Sequence, residues 1–326
     1  MKAWLINLVL ATALFCLSVQ LVFAQKAKTD TEDEPQRVHA MVADPGVIIT
    51  MCIESGNIVV LGGDRREVRV TAEDADRVTL RSESGSMPTT PAKRIEVVVT
   101  ESSNMGLFGF GDCRGTGDLD LQVPRGAIIY VKTRDGDIEI SDVAEVRAET
   151  TTGGVGLMRI AKAIEASTVA GDVSIEDSNG PVRLNSMSGN LEAIRTRATG
   201  PSDLMHVKTI SGDIRLEQIA QQRIEAGTIT GDIMLNGPLA PGGFYDFKTT
   251  TGDVTVTMPA NVSFRVTAKV SEGGEVITDF PLKYSAVKPL SDAMSSGKLA
   301  GSYGTGEAPA TLNIVSFNGT LRLHKK

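Results

Sequence analysis

Aromatic residues make up only 4% of this 326-residue chain, and its one tryptophan, Trp4, lies at the very start. Four tyrosines remain, too few to floor a long sugar cleft with flat ring platforms. Histidine is as scarce. His39, His206 and His324 stand far apart, with no pair at metal-ligand spacing and no readable triad. Neither a G-x-S-x-G elbow nor a glycine-rich strand-to-helix loop for phosphate is present. Basic clusters are missing as well: 33 Lys and Arg against 40 Asp and Glu give a net charge of -7. Nucleic-acid binding therefore lacks its electrostatic footprint. The tail His324-Lys325-Lys326 is too short for a polybasic membrane patch. Long helical periodicity is absent beyond the first residues, leaving only short pieces such as Ser291 to Ser296. No catalytic residue and no cofactor is assigned. A β-helical polysaccharide lyase or hydrolase ranks last among the functional readings.

Cysteine and long apolar runs are rare but informative. Lys2, the apolar stretch Leu5 to Val22 and Val22-Phe23-Ala24 read as a signal peptide over residues 1–24. Cleavage before Gln25 is the favoured outcome. An uncleaved anchor is the alternative, and it is the only membrane contact the sequence offers. Cys16 follows Phe15 where lipidation needs a small residue, which disfavours a lipoprotein. Residues 25–37 are charged and carry no large apolar side chain, which predicts a disordered spacer. Two cysteines survive processing, Cys52 and Cys113. In an oxidising compartment a disulfide is favoured, with two separate buried thiols as the alternative.

What the chain has in abundance is one repeated phrase. VKTRDGDIEI, AETTTGGVGL, ASTVAGDVSI, LNSMSGNLEA, VKTISGDIRL, AGTITGDIML and FKTTTGDVTV align on Gly136, Gly153, Gly171, Gly189, Gly212, Gly231 and Gly252. The glycines are 17, 18, 18, 23, 19 and 21 residues apart. A period near twenty with strand chemistry predicts an all-β fold, a parallel β-helix or β-solenoid built one coil at a time. A hairpin meander is the alternative, and these intervals suit a whole coil better. After each turn, pairs such as Ile214/Leu216 and Ile233/Leu235 fall at i, i+2 on one face. Stacked coils would merge them into one aliphatic core. The glycine serves the bend, and the Asp or Asn after it bonds the local backbone.

Two columns invite functional readings. A hydroxyl stands three residues before each glycine: Thr133, Thr150, Thr168, Ser186, Thr209, Thr228 and Thr249. A structural ladder, pairing rung to rung, is the preferred reading. A receptor-binding or ice-binding threonine array is the sharper one, and uneven coil lengths argue against it. The acids Asp137, Asp172, Asp213, Asp232 and Asp253 form the other column. Turn residues are preferred here. These five remain weak candidates for cation binding, because one Asp per coil falls short of a calcium-binding roll.

The chain divides by pattern. Residues 38–326 form a single solenoid domain: less regular strands over 38–125, regular coils over 126–280, a loop insertion over 281–310 and a final strand over 311–326. The order of PGVIITMCIESGNIVVLGG, DLDLQVP, the SGDI and TGDV copies, DVTVTMP and NGTLRL resembles a bacterial family of candidate adhesins of unknown function. The resemblance covers about residues 38–323 and implies an exported β-solenoid at the cell envelope, in the periplasm, at the surface or outside the cell. It brings no catalytic residues. The expected role is an interaction or structural protein whose partner is an envelope or surface protein or a glycan. A periplasmic envelope-stress or scaffold component is the runner-up. Recognition is expected in what differs between copies: the spacers, the Phe-Gly loop near Phe108, and the insertion after Pro281.

Overall fold

Each glycine-centred phrase folds as two strands joined by a tight corner, because apolar and polar residues alternate on both sides of the bend. The computed structural model describes residues 38–72, 77–82, 90–100, 113–271, 274–284 and 298–326, with no α-helix among them. The Phe108 loop and residues 291–296 lie outside the described residues, as do the leader and spacer.

The first strands are β1 (Val38–Ser55), β2 (Ile58–Gly63), β3 (Glu67–Ala72), β4 (Val78–Ser82), β5 (Ala92–Val99) and β6 (Leu119–Pro124). Long and short strands then alternate: β7 (Ile128–Asp135), β8 (Ile138–Ser141), β9 (Glu145–Thr152), β10 (Val155–Met158), β11 (Ala163–Ala170), β12 (Val173–Glu176), β13 (Val182–Ser188) and β14 (Leu191–Ile194). The alternation continues through β15 (Leu204–Lys208), β16 (Ile214–Glu217), β17 (Arg223–Thr230), β18 (Ile233–Asn236), β19 (Phe244–Thr251) and β20 (Val254–Met258). Six strands complete the fold: β21 (Phe264–Val270), β22 (Val276–Thr278), β23 (Lys283–Tyr284), β24 (Lys298–Tyr303), β25 (Ala310–Asn318) and β26 (Leu321–Lys325).

Pairing is coil to coil. The odd-numbered strands β7 to β19 form one parallel ladder. The even-numbered strands β8 to β20 form a second. This is the parallel β-solenoid, and the hairpin alternative is excluded. A third, shorter side closes each coil through backbone bonds between neighbours, such as Asn179 N–H to the Ile160 carbonyl at 2.8 Å.

Both ends depart from chain order. β1 lies between β5 and β7, and β2 lies between β6 and β8, so the second coil in sequence covers the first from outside. At the other end β25 lies between β19 and β21, and β26 between β20 and β22. The final strands thus enter the stack instead of finishing it. Antiparallel strands pair against the outer coils: β3 on β6, β4 on β5 and β24 on β21. Open ladder edges invite pairing with other chains, and such strands restrict it. Part of the stretch read as a loop insertion therefore forms the capping strands β23 and β24.

The core is a stack of layers whose sizes compensate. Along one interior position of the long strands the order is Val131, Ala148, Ala166, Leu184, Val207, Ala226, Phe247, Ile314 and Ala268. Phe247 is wholly buried between small Ala226 and Ile314, the interdigitation that close packing requires. Phe264, Phe280 and Tyr303 close the far end, with ring centroids 4.8 to 5.8 Å apart.

Candidate functional site: corners and exposed faces of the coil

At the first corner, repeated polar chemistry is engaged in joining coils. The glycines stack in the order Gly117, Gly56, Gly136, Gly153, Gly171, Gly189, Gly212, Gly231, Gly252, Gly319 and Gly274. A Cβ on any but the outermost would lie 1.9 to 2.2 Å from the neighbouring glycine's carbonyl oxygen. Glycine is required by close approach as much as by the bend.

The hydroxyl column faces inward and is buried. Thr168 donates to the Gly153 carbonyl at 3.0 Å, Thr228 to Gly212 at 3.1 Å and Thr249 to Gly231 at 3.0 Å. Apart from Thr133, which donates to the Asp135 carbonyl, the hydroxyls bond neighbouring glycine carbonyls rather than one another, and an exposed threonine array does not exist at these positions.

The Asp column also works between coils, which corrects the expectation of local turn bonds. Asp213 Oδ1 accepts from the Asp232 N–H at 2.8 Å, and Asp232 Oδ1 from the Asp253 N–H at 2.7 Å. Asp137 accepts from Gly154, Asp172 from Asn190 and Asp253 from Thr320. One oxygen of each carboxylate thus holds a backbone donor. Among the described residues no three His, Cys, Asp or Glu side chains gather as a metal-holding group.

A second corner went unread in the sequence. Asp142, Arg159, Asp177, Arg195 and Gln218 stack there in left-handed conformation, with φ from 51° to 61°. The alternating charges pair: Arg159 with Asp142 at 3.0 Å and Arg195 with Asp177 at 2.6 Å, Arg195 also contacting Glu176. The Arg159 hydrogen bond holds the Asp142 carboxyl below the usual carboxylate range, and Arg195 does the same for Asp177. The available signal was a glycine six residues past the corner glycine: Gly237 after Gly231, and Gly62 after Gly56, with Gly62 lying against Asp142 in this column.

The histidines form no common site. His206 projects from β15 with Nδ1 3.5 Å from Glu225. Burial, then the charges of Lys208 and Arg183, pushes its imidazole below the ordinary value. His324 pairs with Asp279 at 3.0 Å, while His39 lies on β1 at the opposite end. Cys52 and Cys113 are disulfide-bonded, with Cα atoms 4.6 Å apart.

The unexplained feature is on the outside of the long strands. Val169, Met187, Ile210, Ile229 and Phe317 are 43 to 52% exposed. Each follows a buried hydroxyl residue, so strand alternation points it outward. The register stacks them: Thr168 beside Ser186, Thr228 beside Thr249, Thr249 beside Ser316, with Ile229 N–H bonded to the Ile210 carbonyl. With Thr250 in one place they form a row of six rungs, about 24 Å long at about 4.8 Å per rung. Lys208 and Lys248 flank it on the same face, and exposed Asp172, Asp213 and Asp232 flank it across the corner. The sequence signal was the unpaired apolar residue between each hydroxyl and its glycine.

Three solved structures resemble the chain, with TM-scores below one half. They are a candidate cell adhesion protein of Clostridium sporogenes (10% identity, 89% of this chain and 100% of that chain, TM-score 0.25), a candidate lipid-binding protein of Parabacteroides distasonis (10%, 89% and 97%, 0.46) and a candidate adhesin of the same species (11%, 89% and 98%, 0.30). No curated protein matches. The Toastrack DUF4097 family profile spans residues 49–321, from β1 to β26 and so across the whole coil stack, and the chain belongs to that family.

Proposed function

We propose that this protein is an exported, non-enzymatic interaction protein of the bacterial cell envelope that grips a partner protein along Val169, Met187, Ile210, Ile229 and Phe317. The observation that carries this reading is the row itself. It keeps large apolar side chains, four aliphatic and one aromatic, in water at matching places on the coils, although nothing in coil construction demands them there. An apolar line with a charged rim has the anatomy of a protein interface. A glycan offers hydroxyls and ring faces, which aliphatic side chains recognise poorly, so a protein is the better occupant. The row is an anchor within a larger contact, since specific interfaces bury about 800 Å² per partner.

Co-sedimentation of the purified protein with isolated envelopes tests this. The Ile210→Asp/Ile229→Asp variant should lose about tenfold or more in retention, equivalent to about 1.4 kcal/mol, with its unfolding midpoint little changed. Retention equal to the parent would overturn the assignment. Product release from a polysaccharide panel would contradict the non-enzymatic part. Cell fractionation separates the surface reading from the periplasmic scaffold.

A further inference from the structure

At the end of the long-strand face away from Phe317 lies a groove of ≈ 770 Å³, within the range of small-molecule sites. Its floor is built from outward residues of β1, β7 and β9, among them Thr50, Cys52, Tyr130, Lys132, Arg147 and Glu149. Arg81 on β4 and Glu96 on β5 line one side, and Arg114, next to the disulfide, lines it as well. Four cations meet two acids there, a basic site on a chain of net charge -7. Glu149 pairs with Arg147 at 3.0 Å and Lys132 at 3.8 Å. The side chains of Arg81 and Arg114 have no ion-pair or hydrogen-bonding partner among the described residues.

The Arg114 segment is held in place. Cys113 is bonded to Cys52, Glu54 N–H donates to the Gly115 carbonyl at 2.8 Å, and Thr116 bridges to Ser55. The held backbone keeps the Arg114 side chain at the groove, and a guanidinium fork matches a carboxylate with two parallel hydrogen bonds. Tyr130, 36% exposed on the floor, offers a ring face and a hydroxyl.

We propose that this groove binds an acidic saccharide, with carboxylates held by Arg81 and Arg114 and a sugar ring lying on Tyr130. Arginines without partners select the charge, and the aromatic floor selects a ring over a bare anion. The site is separate from the apolar row and does not depend on it.

Titration calorimetry with tri-galacturonate, the uncharged tri-galactose and inorganic phosphate tests the proposal. Tri-galacturonate should bind, weaken with added salt, and weaken by about tenfold or more in Arg81→Gln and in Arg114→Gln (about 1.4 kcal/mol each). Tyr130→Ala should weaken it too, while Lys269→Gln, at the far end on β21, should bind as the parent does. Unfolding midpoints near that of the parent establish that the variants are folded. Equal binding of the neutral sugar, parental binding by both arginine variants, or tighter binding of phosphate than of the uronate would each overturn it. Envelope retention of Arg114→Gln should stay parental, so failure here is distinguishable from failure of the apolar row.

Discussion

Two glycines four residues apart in one coil should respond in opposite ways to the same methyl group. Gly231 sits in the corner column at φ +145°, and a Cβ there would lie 2.0 Å from the Gly212 carbonyl oxygen and 2.6 Å from its carbon. A non-glycine residue in such a conformation costs about 1–3 kcal/mol. The contact adds an overpacking cost of about 1–3 kcal/mol, because backbone in a bonded ladder cannot rotate aside. Gly231→Ala should therefore destabilise by roughly 2–6 kcal/mol. Gly227, on the outer face of β17, would place its Cβ 3.6 Å from the Lys248 carbonyl, an ordinary contact. There alanine restricts the unfolded chain and should be neutral or stabilise by about 0.4–1 kcal/mol. The assay is urea unfolding at pH 7, read as midpoint and slope. With slopes of about 1–3 kcal/mol per molar, the Gly231 variant should unfold at least about 0.7 M earlier. Equal midpoints for the two variants would refute the stacked-corner reasoning.

Three further outcomes follow from the geometry. Ile214→Asp places a charge in the stacked aliphatic layer and should unfold the stack, while Asp213→Asn keeps the oxygen that accepts from Asp232 and should change stability by about 0.5 kcal/mol or less; equal damage in circular dichroism melts would contradict the separation of core from turn. Reducing the Cys52–Cys113 bond, which spans 61 residues, should remove up to about 4 kcal/mol by releasing the unfolded chain, measured as a lower urea midpoint with reductant, and an unchanged midpoint would argue against that role. Burial lowers the His206 pKa, so its neutral form favours the fold: this contribution is complete above about pH 6.5, the ordinary value, and is lost as pH falls from there through the lowered folded value. His206→Asn should flatten that part of the stability profile between pH 7 and 5, and a parallel decline in both proteins would count against it.

The repeat made the architecture legible because one phrase supplied turn, core pair and period together. The copies could not reveal the order of the end coils. NGTLRL around Gly319 fits the stack equally well as a last coil or as an inserted one, and only edge protection by β23 and β24 decides between them. The Asp and Thr columns were visible as columns, but not the direction of their bonds. A turn residue reaches its own backbone in an isolated bend and its neighbour's when coils repeat every 4.8 Å or so. The second corner stayed hidden because Asp142, Arg159 and Arg195 tolerate the left-handed conformation only in a stack that fixes it. The apolar row was overlooked for a related reason: Met187 or Ile229 looks like core until strand alternation turns it outward.

Repeated polar residues hold the coils together, and the outward apolar row is proposed to meet a partner. A photo-crosslinking amino acid placed at Met187 on that row, and separately at Ser174 on the outer face of β12, separates the two roles in intact cells. Position 187 should give one discrete high-mass adduct and position 174 none. Adducts from 174 alone, or equal adducts from both, would rule out the apolar row as the docking face.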